Sequence, residues 1–287
     1  MDVRGVLEQW DLRPSKGLGQ NFLVDQTVLD KIAAAAELTV DDIVLEVGAG
    51  LGTLTEHVAQ NAGHVIAVEL DRRLMPILQN VLSNYDNVTL IQGDILTLDP
   101  AALVNAAAVE HPGSSTRYKV VANLPYYITS AVLRHLLEAR LKPQRLVLTV
   151  QREVADRICA KPGEMSLLAV SVQFYGRPQR LFRIKPGSFY PSPSVESAVV
   201  RIDIHATRPV SAEDTDAFFR VVRAGFSQRR KQLHNSLAAG LRRSRKEIAA
   251  QLKETGVDHR RRPQTLSLEE WVCVARAVGG IDYKQGR

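Results

Sequence analysis

Leu45-Glu46-Val47-Gly48-Ala49-Gly50-Leu51-Gly52-Thr53 is the stretch on which the fold turns. A short apolar run ends in a cluster of glycines and opens into a segment with helical spacing. Glycines at a strand end let the backbone turn tightly and approach a ligand, and the helix N-terminus beyond favours negative or hydrogen-bond-accepting groups. Taken alone the loop fits any user of an adenosine cofactor. The dinucleotide pattern G-x-G-x-x-G, however, needs glycine at position 53, which is Thr53. The G-x-G-x-G found here gives less support to a pyrophosphate.

Outward from this loop, short β-branched runs alternate with helical patterns. Residues 43–47, 64–70, 88–92, 119–122 and 145–150 read as strands, apolar without alternation, as strands covered on both faces should be. Residues 54–62, 72–82, 101–109 and 130–139 read as helices between them. The order predicts an α/β fold with a doubly wound, mostly parallel sheet. Residues 167–174 read as a helix. Residues 180–184 and 197–204 read as a hairpin at the sheet edge, joined through Pro186, Pro191 and Pro193. A polar surface loop is expected at His111–Thr116. After Arg208-Pro209 the pattern becomes helical throughout, over residues 213–226, 231–241, 244–255 and 268–278. Ser211, Ser244 and Ser267 are expected to cap the first, third and fourth of these, Ser267 with Glu270 as a capping box. This predicts two domains, residues 1–206 for cofactor binding and residues 207–287 as a small helical module.

Charge divides the chain at nearly the same place. Residues 1–200 carry 19 Lys/Arg against 21 Asp/Glu, and residues 201–287 carry 18 against 10. The tail is thus a basic module with net charge +8, which attracts polyanions, although surplus Lys and Arg also serve as solvated surface. No apolar run reaches the roughly 18–20 residues of a membrane span. Met1–Trp10 mixes charges with apolar residues, unlike a leader peptide. Cys159 and Cys273 lie far apart without metal-ligand spacing, so no metal site is expected, a reducing cytoplasm fits, and both read as buried packing residues.

Two acids and one turn carry the chemistry. Glu69 ends the second strand, where a carboxylate can accept both ribose hydroxyl protons of an adenosine moiety, a moiety that NAD and S-adenosylmethionine share. Asp94, after the third strand, is placed to meet an adenine edge; a solvated strand-end carboxylate or helix cap is the plain alternative for each acid. Asn123-Leu124-Pro125-Tyr126 follows the fourth strand. An exocyclic amine is a poor nucleophile because its lone pair is delocalised, so its site must offer acceptors to both N–H protons. The Asn123 side-chain carbonyl can supply one, and a main-chain carbonyl within Leu124-Pro125 the other. Pro125 stiffens the loop, and Tyr126 offers a flat face for an unstacked base. In isolation the same four residues could be only a turn.

These motifs, together with Lys16-Gly17-Leu18-Gly19-Gln20-Asn21-Phe22-Leu23, Glu69-Leu70-Asp71, Phe189-Tyr190-Pro191-Ser192-Pro193-Ser194-Val195-Glu196-Ser197 and Phe226-Ser227-Gln228-Arg229-Arg230-Lys231, resemble the ribosomal RNA adenine N6-dimethyltransferases over nearly the whole chain. The nearest likeness is to the bacterial small-subunit branch, whose loss gives kasugamycin resistance and which dimethylates two adjacent adenosines near the 3′ end of 16S rRNA. A related class that methylates large-subunit rRNA carries Asn-Ile-Pro-Tyr and lacks the Ser-Gln-Arg-Arg-Lys segment. The resemblance implies S-adenosylmethionine as cofactor, with Asn21 and Leu23 closing over its methionine end and ribose. Gly48 would meet the methionine portion, Glu69 the ribose hydroxyls and Asp94 the adenine, with Gly50 also among the cofactor-binding residues. Asn123 would hold the target N6, with Tyr126 and Phe189 sandwiching the flipped adenine. Phe189 buried in the core is the alternative. Arg229, Arg230, Lys231, Arg242 and Arg243, with the later Arg260-Arg261-Arg262, read as the RNA-docking surface of a monomer acting on a partly assembled ribosomal particle in the cytoplasm.

Three functions compete at this stage. The first is the rRNA dimethyltransferase, and the second an assembly or transcription factor that binds cofactor and RNA without turnover. The third, a nicotinamide dehydrogenase, is disfavoured by the glycine spacing and by the lack of a proton-transfer histidine.

Overall fold

Ile43–Val47 forms a strand buried at all five positions, the burial that its unalternating apolar sequence requires. It sits inside a computed structural model that describes residues 2–110, 117–228 and 230–281; the expected loop at His111–Thr116 lies outside the described residues. Along the chain the strands are β1 (Phe22–Leu23), β2 (Ile43–Val47), β3 (His64–Glu69), β4 (Val88–Gln92), β5 (Tyr118–Asn123), β6 (Arg145–Gln151), β7 (Gly176–Ile184), β8 (Phe189–Tyr190) and β9 (Ser197–Ile204). The α-helices are α1 (Val3–Gln9), α2 (Gln26–Ala35), α3 (Thr53–Ala59), α4 (Met75–Val81), α5 (Pro100–Glu110), α6 (Thr129–Glu138), α7 (Arg152–Ile158), α8 (Leu167–Tyr175), α9 (Thr215–Phe226), α10 (Leu233–Leu241), α11 (Arg245–Glu254) and α12 (Leu268–Gly279).

The main sheet has the order β4-β3-β2-β5-β6-β9-β7. Strands β4, β3, β2, β5 and β6 are parallel, and β9 runs antiparallel to β6. The order changes direction between β2 and β5, and in such sheets ligands bind outside the carboxyl ends of the strands at that point. The expected edge pair is present as β9 beside β7. On one face, Leu29 and Ile32 of α2 and Leu54 and Val58 of α3 pack with Val44, Val65, Ala67, Val121 and Val147 of the sheet. Helix α1 adds a smaller cluster, in which Val3 and Leu7 meet Phe22, Leu51, Leu74 and Ile77.

The chain separates into two compact units. One comprises Met1–Ala155 with Pro178–Ile204, the other Asp156–Arg177 with His205–Arg287. The helical unit therefore includes α8, which a single division at residue 206 leaves with the sheet. The reason is aromatic: Phe174 at the end of α8 stacks on Phe218 of α9 at 4.8 Å and lies 4.9 Å from Phe219.

Three local expectations meet corrections in this unit. Helix α9 starts at Thr215, so Ser211 holds the preceding turn, its Oγ accepting from Asp214 N at 3.1 Å. Ser244 is the N-cap of α11 without a side-chain bond, whereas Ser267 forms the full capping box of α12 with Glu270. Cys273 is exposed and Cys159 half-buried. The buried stripe of α12 runs through Trp271, Val272, Val274, Ala275 and Val278, which turns Cys273 outward. Among the described residues no helix is long and apolar enough to cross a membrane.

Candidate active site

The glycine loop leaves β2 in a conformation open to glycine. Gly48 has φ 77° and Gly50 φ 62°, the left-handed region that side chains avoid. Two amides pin the loop to the neighbouring strand: Gly48 N and Ala49 N both donate to Val68 O, at 2.9 and 3.2 Å. A β-carbon at position 50 would stand 3.1 Å from Phe22 Cδ1, so glycine there also leaves room for the N-terminal segment above it.

Glu69, at the end of β3, is only 7% exposed. Its Oε2 accepts from Gly50 N at 2.8 Å and its Oε1 from Asp71 N at 2.7 Å. Burial pushes this carboxyl up from the ordinary glutamate range, and the backbone donors pull it back. Each oxygen retains lone pairs for further donors, as two ribose hydroxyls require. Val68, Leu70 and Ile95 give the cavity apolar walls, and Asp94 stands beside them. Asp94 Oδ1 accepts from Leu96 N at 3.0 Å, which fixes the carboxylate while its Oδ2 makes no protein hydrogen bond among the described residues. A glycine cradle, a two-oxygen acceptor, apolar walls for a flat ring and a second carboxylate at their edge fit an adenosine-bearing cofactor.

Asn123 closes β5 and lines the same cavity with Leu124 and Pro125. Its Nδ2 donates to Asn21 O at 3.0 Å, which fixes the orientation of the amide and leaves Oδ1 without a protein partner among the described residues. Of the two main-chain carbonyls open to the sequence reading, that of Pro125 accepts from Ile128 N at 3.2 Å and the Thr129 hydroxyl at 3.4 Å. Among the described residues no donor is bonded to the Leu124 carbonyl. The Asn123 side-chain oxygen and this carbonyl are therefore the pair of acceptors on offer.

The aromatic neighbours stand differently from the sequence expectation. Tyr126 is half-buried and its hydroxyl meets Ser197 Oγ at 2.7 Å, while burial raises its pKa. Phe189 is 4% exposed and belongs to the core cluster, the alternative that its residue type left open. Leu23 goes the same way. Strand β1 pairs antiparallel with β8, Leu23 opposite Phe189, and both side chains enter the core. Asn21 lines the cavity, and Phe22 does so in place of Leu23.

Residues 18–22 form a strap along the cavity, and its anchors are polar. Gln20 Nε2 donates to Asp71 Oδ2 at 2.9 Å. Arg73 grips the same carboxylate, Nη2 to Oδ2 at 2.6 Å, and holds Asp71 down at about 2. Thr53 Oγ1 donates to Leu23 O at 3.1 Å. Gln20 and Asp71 were visible in the motifs but not their meeting, which joins residues remote in sequence. Glu46 is the other feature without a sequence signal of role. It is 1% exposed behind the loop, with Oε2 lacking a hydrogen-bond partner among the described residues. Burial, reinforced by the nearby Glu69 charge and opposed by the Thr55 hydroxyl, raises its carboxyl to about 8.

In the helical unit, Arg230 and Lys231 line an open groove with Phe226, Ser227, Gln228, Arg262 and Gln264. Arg229 lies outside the described residues. Arg242 is exposed at the left-handed C-cap of α10. Arg243 is committed internally: it pairs with Glu247 and donates to Val278 O at 2.8 Å and Gln251 Oε1 at 2.9 Å. Arg261 is likewise paired, with Glu270.

A doubly wound, mostly parallel sheet with a glycine loop at its switch point and a helical module after it is the class I methyltransferase fold. Comparison with known proteins makes this specific. The pattern described as ribosomal RNA adenine dimethylase matches residues 13–275, and the chain belongs to that family. A ribosomal RNA small subunit methyltransferase A of Dehalococcoides mccartyi (strain CBDB1) is 49% identical over 269 residues, 94% of this chain and 90% of its own. One of Moorella thermoacetica is 45% identical over 276 residues, covering 95% of each. Among solved structures, the 23S rRNA methyltransferase ErmE superposes with a TM-score of 0.71 at 28% identity, over 90% of this chain and 99% of that one. A dimethyladenosine transferase from Plasmodium falciparum shares the fold, with a TM-score of 0.75 at 23% identity over 91% and 98% of the two chains.

Proposed function

We propose that this enzyme transfers methyl groups from S-adenosylmethionine to N6 of two adjacent adenosines near the 3′ end of small-subunit (16S) rRNA, giving N6,N6-dimethyladenosine during ribosome biogenesis in the cytoplasm. One observation carries the reading. Asn123 has its amide nitrogen tied to Asn21 O and its carbonyl oxygen without a partner among the described residues, on the wall of the cavity that Glu69 and Asp94 also line.

The cofactor supplies an electrophilic methyl group on a sulfonium. Glu69 takes the ribose hydroxyls, Asp94 the adenine edge, and Gly48, Gly50 and Asn21 the remainder. The two N–H groups of the target donate to Asn123 Oδ1 and Leu124 O, which makes the nitrogen more tetrahedral and turns its lone pair toward the methyl carbon. No base of unusual pKa is needed, since the methylated nitrogen releases its proton to water after transfer. Most of the acceleration is orientational, an effect that reaches about 7–11 kcal/mol. Tyr126 and Phe189 flank the base in this reading, and Phe189 must emerge from its buried position to do so. Arg230, Lys231 and Arg242, with Arg229, dock the RNA of a partly assembled particle through its phosphates.

The test uses tritiated S-adenosylmethionine and unmethylated small subunits, followed by digestion to nucleosides. Label in N6,N6-dimethyladenosine at adjacent positions is expected. Cofactor binding without label would leave an rRNA-binding assembly factor in its place.

A further inference from the structure

Tyr126 and Tyr127 follow Asn123 in sequence and Phe189 comes from a separate motif, and of these three rings only one presents a free face. Phe189 is buried, and Tyr126 is held by Ser197. Tyr127 is 59% exposed and lines the cavity. The difference follows from the short 3-10 turn Tyr126–Ile128. With three residues per turn, successive side chains point about 120° apart, so Tyr126 turns to Ser197 while its neighbour turns to the cavity mouth. There the ring lies against the strap: a β-carbon at Gly19 would stand 3.3 Å from Tyr127 Cδ1 and 3.8 Å from Pro125 Cβ. Gly19 has φ 59°, so the position favours glycine on backbone grounds as well. The Tyr127 hydroxyl has no protein hydrogen-bond partner among the described residues.

We propose that Tyr127 is a stacking platform for the nucleotide that flanks the adenosine being methylated. The inference rests on the RNA substrate proposed above. A strand that delivers one adenosine to Asn123 and Leu124 must carry its neighbour past the rim of the same cavity. An unstacked base there needs a flat partner, and Tyr127 is the exposed ring at that rim. When two adjacent adenosines are modified in turn, each is the flank of the other, so one platform serves both events.

The experiment compares wild type, Tyr127→Ala and Tyr127→Phe for affinity toward unmethylated small subunits and, separately, toward S-adenosylhomocysteine. Base–aromatic stacking predicts that Tyr127→Ala weakens subunit binding roughly 5- to 150-fold, at least fivefold more than it weakens the cofactor product, with Tyr127→Phe restoring the affinity. Parallel losses toward both ligands would assign the ring to packing the strap and overturn the proposal, as would an unchanged subunit affinity. A second arm uses subunits reconstituted with an abasic residue at one of the two adenosines. Removing the base and removing the ring should then cost the same factor without adding; additive losses overturn the flanking assignment. If wild type itself places no label on intact subunits, the reading of the substrate falls first, and this inference with it.

Discussion

The sheet unit and the helical unit solve recognition by opposite means. In the first, polar atoms are few, buried and individually aimed. Glu69 is fixed by two backbone donors, and Asn123 is oriented by one bond that leaves its other atom free. In the second, charge is abundant and mostly outside, and what separates one arginine from another is whether a carboxylate has already taken it. Arg243 and Arg261 are taken, whereas Arg230 and Lys231 have no acidic partner among the described residues. Chemistry on one nitrogen demands fixed geometry, while docking on a phosphate backbone demands only field and reach.

The largest effects should come from the fixed unit. Asn123→Ala removes one acceptor from the amine and is expected to lower turnover about 10²–10³-fold, the scale of losing one aimed hydrogen-bonding group. Affinity for S-adenosylhomocysteine, measured by calorimetry, should change only a few-fold, through the loosened Asn21. Glu69→Ala should do the reverse. Losing charged hydrogen bonds of about 1.5–3 kcal/mol weakens the cofactor product roughly 10- to 150-fold, with a smaller effect on turnover at saturating cofactor. Equal losses in both parameters for both variants would erase the division between a holding acid and an orienting amide.

What was legible in the sequence follows the same contrast. Glu69 and Asn123 could be located because each ends a strand whose apolar run announces it, and Asp94 because it follows one by two residues; a parallel sheet gathers such positions along one edge. Leu23 and Phe189 could not. Their burial depends on pairing between two-residue strands far apart in the chain, and nothing local in Phe22-Leu23 or Phe189-Tyr190 states which face will turn inward. Helices α1 and α2 carry a readable sign, since Asp2 and Asp25 cap them by accepting from Gly5 N and Val28 N, yet a single capping aspartate is common in loops too. The membership of α8 in the helical unit depends on Phe174 meeting Phe218, a contact no periodicity encodes. Charge was legible as a total; its pairing was not.

A smaller effect tests how strictly the sheet unit is built. Glu46 stays protonated in the fold up to about pH 8, whereas an unfolded glutamate ionises near 4.3. Between those values the folded state binds more protons than the unfolded one, so stability is fully present below the lower value and falls as pH rises toward the upper. The slope is at most about 1.4 kcal/mol per pH unit. Glu46→Gln mimics the neutral acid and should flatten the dependence of Tm between pH 5 and 8. An unchanged slope would mean that Glu46 ionises in place, and that the region behind the loop is wetter than its burial implies.

The smallest effects separate the arginines. Arg230→Ala should leave Tm unchanged, weaken binding to small subunits, and reduce the slope of log K against log salt by about 0.7–0.9, the share of one released counterion. Arg243→Ala should keep the salt slope. Its side chain is 26% exposed and joins the segment after α10 to Glu247 of α11 and to the Val278 carbonyl, so its removal is expected to cost roughly 1 kcal/mol of stability. In a unit of about 100 residues that lowers Tm by about 4 °C or more. The two variants delete the same charge from the same basic module. If both lowered the salt slope alike, the internal pairing of Arg243 would not withhold it from phosphate, and docking would depend on total charge alone. If only Arg230 does, the free cations of the groove are a defined subset, and the carboxylates of α11 and α12 select it by occupying the rest.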